Sequence, residues 1–193
     1  IARTLGTALG ALAAGLPDVY RGPLGLSEID ALKGMFLAYV LLTVSAAALY
    51  LLLSPKVEVA ATASRWSNPF QLPSRRIIFT LSGLFSVDHF ASGLLVRNLV
   101  SLWFFSRFGV GLAPLGFIFF ASDIVTAVSL WISAKLASRI GLLNTMILPH
   151  GLAAVVTMLI PVLPTAWMAV VAWQLRSFFG QMDIPARDSY TMA

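Results

Sequence analysis

Cysteine is absent from the 193 residues, which excludes disulfides, thiol catalysis and thiolate metal sites. Histidine occurs only twice, so a metal site built from protein ligands alone is not expected. Charge is scarce as well. Asp, Glu, Lys and Arg make up 11% of the chain against 59% hydrophobic residues, and the mean hydropathy is +0.88. So little polar material cannot cover a soluble domain of this length, and the chain reads as an all-α integral membrane protein. It contains no nucleotide-binding loop, no H-E-x-x-H and no paired carboxylates at helical spacing, so neither a cofactor nor an enzymatic activity is expected. The net charge of +5 does not point to nucleic acid, because the arginines sit at the ends of apolar runs and not on one basic face.

What is present is a series of apolar runs. A span needs about 20 predominantly apolar residues, which leaves room for roughly six transmembrane helices with short loops. The expected runs are 4–16, 35–53, 77–105, 115–134, 142–163 and 167–184. The first is rich in Gly and Ala, and Gly6 and Gly10 recur at about helical spacing, which lets another helix approach closely. Pro17 is expected to end it. The third is longer than a bilayer requires and must tilt, bend or break; Gly83 and Gly93 offer places to do so. Between the second and third runs lies the longest polar segment, 54–76, with Lys56, Arg65, Arg75 and Arg76 and the interfacial patch Arg65-Trp66-Ser67-Asn68-Pro69-Phe70. It reads as a linker between two helix bundles.

Loop charge sets the orientation. With the linker and the 135–141 turn in the cytoplasm, that side holds Lys56, Arg65, Arg75, Arg76, Lys135, Arg139 and Arg187, while the other holds Arg21, Lys33 and Arg107. The chain opens at Ile1 inside an apolar run and stops at Ala193 as another begins. It is therefore expected to be an internal piece of a longer protein, whose remainder and the lipid bilayer are its nearest partners.

The segment Ala134-Lys135-Leu136-Ala137-Ser138-Arg139-Ile140-Gly141 is read as a short basic turn between two spans. It resembles the loop signature of the major facilitator superfamily, roughly G-x-L-a-D-R-x-G-r-r, in its second copy between helices eight and nine. Leu136, Ala137, Arg139 and Gly141 match; Ala134, Ser138 and the Leu142-Leu143 pair depart from it. Gln181-Met182-Asp183-Ile184-Pro185-Ala186-Arg187 is similar to the acid-x-P-x-R ending of a helix in many of these transporters. The resemblance implies six helices, five to ten, of a twelve-helix two-bundle fold. Residues 1–53 would be the last two helices of the first bundle, 54–76 the cytoplasmic linker and 77–193 the first four helices of the second. It also implies a cytoplasmic gate in which Arg139 pairs with Asp183 and Arg187 assists. For Arg187, anchoring by positive charge at the cytoplasmic face stands as the alternative.

Charges inside spans are costly and should face protein or water. Arg97 and Asp123 each lie about eight residues from the outer ends of their runs, so a salt bridge between them is expected, either as part of a transport path or as a brace between helices. Ser82, Ser86, His89, Gly93, Arg97 and Ser101 form one polar and small stripe at helical spacing. Asp88 and His89 are candidates to exchange the coupling proton, with structural hydrogen bonding as the alternative. Arg176 is a candidate for an anionic substrate or a buried acid. His150 receives no role.

The function these features and the resemblance imply is secondary active transport of a small solute by alternating access. Proton coupling, export and a bacterial inner membrane complete the expectation. The alternative is a polytopic membrane protein that does not transport, either an intramembrane enzyme or a receptor-like scaffold.

Overall fold

The structure, a computed structural model, describes residues 2–52 and 75–192. All regular structure among them is helical. The elements are α1 (Ala2–Ala13), α2 (Leu16–Tyr20), α3 (Glu28–Leu51), α4 (Arg75–Leu94), α5 (Arg97–Phe108), α6 (Leu112–Ile140), α7 (Leu142–Leu159) with a 3-10 turn at Ile160–Val162, α8 (Ala166–Phe179) and α9 (Asp183–Met192). Of the expected linker, 54–74 lies outside the described residues, while Arg75 and Arg76 open α4.

Four stretches are long and apolar enough to cross a membrane: Glu28–Leu49, Arg75–Phe108, Leu112–Ile140 and Leu142–Val162. The first and last expected runs are each built from two shorter helices. Pro17 does not end a helix. It sits in the first turn of α2, where its fixed φ suits the geometry and its missing N–H is not needed. The last run divides at Gly180, and α8 ends there after 14 residues.

Boundaries elsewhere follow local chemistry. The α3 helix starts seven residues before the expected run because Ser27 begins it: the Ser27 hydroxyl accepts from the Asp30 amide at 3.2 Å and donates to its carboxylate at 2.7 Å. Such a reciprocal arrangement resembles a capping box. The basic segment before Gly141 is helical rather than looped, since nothing before Gly141 interrupts the pattern. Gly141, at φ 85°, makes the turn alone, and Asn144 Nδ2 donates back to Ile140 O at 2.9 Å.

The chain divides into two compact units, 36–103 and 1–35 together with 104–193. In the first, the over-long span breaks at Leu95–Val96, two residues beyond Gly93; Leu95 N–H bonds Ser92 O, and the ladder resumes with Leu99 N–H on Val96 O. Its apolar side chains, Phe36, Leu42, Val87 and Phe90 among them, are exposed. Exposed apolar side chains along helices of this length suit contact with lipid or protein rather than water.

In the second unit α6 is the central helix. It touches α1, α2, α7, α8 and α9, and half of its most apolar window is buried, against none for α3 or the α4–α5 span. The α1 and α6 backbones meet almost directly. A Cβ on Gly116 would lie 2.8 Å from Ala11 O, and one on Gly15 would lie 2.8 Å from Ala113 Cα. Small residues permit this approach, and the contact energy comes from packing at short range. Gly6 and Gly10, expected to serve that purpose, have open space around them. Replacing Gly116 with Val should therefore lower the thermal stability of the detergent-solubilised protein by about 1–3 kcal/mol, whereas Gly6→Ala should leave the melting curve unchanged or slightly raised.

Candidate functional site

The buried face of α6 is polar. Ser122, Asp123, Thr126, Ser129 and Ser133 are all buried, and Ser122, Thr126, Ser129 and Ser133 repeat at intervals of four, three and four residues, which keeps them on one face. Hydroxyls can reside there because each finds a carbonyl. Ser122 Oγ donates to Ile118 O at 2.8 Å, Thr126 Oγ1 to Ser122 O at 2.8 Å, and Ser129 Oγ to Thr126 O at 2.8 Å.

Three bonds leave α6 for the C-terminal helices. Gln174 Nε2 donates to Ile118 O at 3.1 Å, Thr126 Oγ1 lies 3.2 Å from Ser177 O, and Ser133 Oγ donates to Met182 O. Partners advance along both segments together, so α6 and α8 run parallel. Bonds of this type are worth about 0.6–2 kcal/mol each in a bilayer. They fix register more than they add stability.

At the α8 end of the seam, Trp173 is buried and meets Phe119 edge-on, 6.1 Å between centroids at 80°. The Arg176 guanidinium lies over the indole face at 5.1 Å. Trp173 Nε1 and Gln174 Oε1 are buried and make no hydrogen bond. Both residues rest against the same turn of α6, Trp173 on Phe119 and Gln174 on Ile118. Each is a buried polar group that a hydroxyl or amide group could satisfy.

The other expected site residues are placed as follows. Asp123 is buried on α6 beside the hydroxyl stripe, in the unit with Arg176. Arg97 opens α5 in the other unit, as the break at Leu95–Val96 dictates. Asp88 and His89 lie on α4, with His89 Nδ1 3.8 Å from Asp88 Oδ2 and 2.9 Å from Phe85 O. The stripe from Ser82 to Ser101 is divided by the same break. Its hydroxyls bond their own helices: Ser86 Oγ donates to Ser82 O at 2.7 Å and Ser101 Oγ to Arg97 O at 2.9 Å. Among the described residues no group of three or more His, Asp or Glu could hold a metal ion.

At the opposite end of the seam Asp183 pairs with Arg187 rather than with Arg139. Arg187 Nη2 is 2.5 Å from Asp183 Oδ2, and both side chains are largely buried. Four-residue spacing on one helix makes this pair local, and Asp183 also lies in the first turn of α9, where a negative charge is favoured. Arg139 is exposed at the end of α6. One turn earlier, Lys135 covers the Trp131 ring at 3.8 Å.

Comparison with protein-family models, with curated proteins and with solved structures finds no match to this chain. The α6 hydroxyl stripe, Trp173 and Gln174 were given no role from sequence. The signal for the stripe was available in the spacing of Ser122, Thr126, Ser129 and Ser133 within an apolar run, which hydropathy averages away. Removing the Arg187 side chain (Arg187→Ala) leaves Asp183 buried without its counter-charge and should cost about 3–5 kcal/mol. Arg139→Ala should change stability by less than about 0.5 kcal/mol; thermal unfolding in nanodiscs separates the two.

Proposed function

We propose that this chain belongs to a secondary active transporter of the major facilitator type, moving a small polar solute by alternating access with proton coupling. The observation that carries the reading is the buried polar face of α6, lying within a helix long and apolar enough to cross a membrane. Polar and ionisable groups at membrane depth are costly and mark solute or ion paths. Two features add support. One span is discontinuous, as helices beside transport sites often are. The signature-like segment ends at Gly141, with Arg139 exposed beside it.

In this reading the six apolar runs correspond to helices five to ten, and the protein resides in a bacterial inner membrane with its basic loops in the cytoplasm. Trp173 Nε1 and Gln174 Oε1, buried and unbonded, are the polar groups on α8 that a solute with a hydroxyl or amide would engage. Asp123 and Arg176 supply charge about one turn further along α6 and α8, while Asp88, His89 and Arg97 form the proton path along the broken span. The inner clasp is Asp183 with Arg187. Through Met182 O it is joined to Ser133, and Arg139 anchors the end of α6 at the membrane face.

Alternating access exposes the middle of α6 to each side in turn, which a static scaffold does not do. A single cysteine placed at Ser122 should react with a membrane-impermeant maleimide from either face of oriented vesicles, and a transported solute should protect it. Labelling from neither face would leave a non-transporting membrane protein as the better description.

A further inference from the structure

The start of α6 is capped by a residue far away in sequence. Gly111, at the N-cap position, has no side chain to serve its own helix. Pro114 has no N–H, and Leu115 N–H already bonds Gly111 O at 3.1 Å, so the amides of Leu112 and Ala113 must be satisfied from outside the helix. Asp18 does this: its Oδ2 accepts from Ala113 N–H at 3.0 Å across 95 residues of sequence. A Cβ at Gly111 would sit at an ordinary contact distance, 3.4 Å, from the same oxygen, so the carboxylate packs directly on the N-cap residue.

The carboxylate is itself held in place. Arg21 Nη2 lies 3.9 Å from Asp18 Oδ1, and Arg21 Nη1 lies 3.7 Å from Glu28. Tyr20 Oη donates to Ala31 O at 2.6 Å, which ties α2 to the start of α3. Beside this cap are the glycine contacts at Gly15 and Gly116. Beyond them α6 turns Thr126 to α8 and Ser133 to the turn that follows α8. The α1–α2 pair therefore holds α6 through this cap together with close backbone packing.

We infer that Asp18 is a positioning residue that latches the outer mouth of the transporter, by capping a helix of the second bundle from a helix of the first. The inference rests on the transport reading, under which α1–α2 and α6 belong to different bundles and must separate at the Arg21 end when the outer side opens. Separation breaks the Asp18–Ala113 bond and exposes the first turn of α6 to water. Closure restores both, and the glycines make the closed position close-packed.

The test uses the full-length protein in nanodiscs. Spin labels on Leu24→Cys and Phe117→Cys report the opening at the outer end, and the described chain has no native cysteine to interfere. Asp18→Ala should raise the ratio of the long to the short distance about fivefold, the effect of losing one cap. Asp18→Asn keeps an acceptor oxygen and should behave as the unsubstituted protein. An unchanged distance distribution in Asp18→Ala overturns the latch, as does an Asn variant that opens as far as Ala. Labelling of Ser122→Cys in the Asp18→Ala background tells the two readings apart. Two-sided reaction with an unmoved distance defeats the latch and leaves transport standing. A lengthened distance with labelling from neither face defeats transport and shows the cap to be a clasp in a protein that does not cycle.

Discussion

Hydroxyl groups on one face of α6 donate to main-chain carbonyls, some on α6 itself and some on the segments that follow it. Apolar surface alone cannot set the register of two helices in lipid, because sliding one past the other exchanges one greasy contact for another. Directional bonds can. Thr126 on Ser177 O and Ser133 on Met182 O fix the alignment of α6 with α8 and the turn after it, and the edge-on contact of Phe119 with Trp173 belongs to the same alignment. The position of Asp183 and Arg187 follows from it, since the chain leaves the Ser133 contact directly into α9.

Opposite this seam α6 is held differently. There the partners are α1 and α2: the absent side chains of Gly15 and Gly116 let the backbones meet, and the Asp18 carboxylate caps the first turn of α6. One side of α6 is thus bonded to α8 and the turn after it, while the other packs its backbone against α1 and takes its cap from Asp18. That asymmetry is what a helix needs if one neighbour is to stay with it while the other departs. For a purely structural helix no such difference is required.

Much of the architecture was legible in the sequence. Apolar runs located α3, α6 and α7, although α3 opens seven residues earlier and α6 ends six residues later than its run, and the excess length of the 77–105 run announced a break that occurs at Leu95–Val96, close to Gly93. Local chemistry misled at two proline and glycine positions. Pro17 reads as a terminator yet starts α2, because a first-turn residue needs no amide proton; Gly141 needs no loop, because one residue at positive φ reverses the chain. The Asp18 partner was out of reach, since nothing in a sequence marks an amide 95 residues away as unsatisfied. Asp183 offers the opposite lesson. Its partner Arg187 stands four residues on, in plain view, while the resemblance drew attention to Arg139. The hydroxyl stripe stayed hidden because serine and threonine barely lower the hydropathy of a long apolar helix.

The central claim is the parallel register of α6 with α8 and the turn that follows it, fixed by the hydroxyls of α6. Disulfide trapping in native membranes tests it directly. Cysteine pairs at Thr126 with Ser177 and at Ser133 with Met182 should cross-link rapidly under mild oxidation, while Thr126 with Met182 and Ser133 with Ser177 should not. Efficient cross-linking of the second set, with none of the first, would mean that the segments meet in another register or direction and would contradict the account.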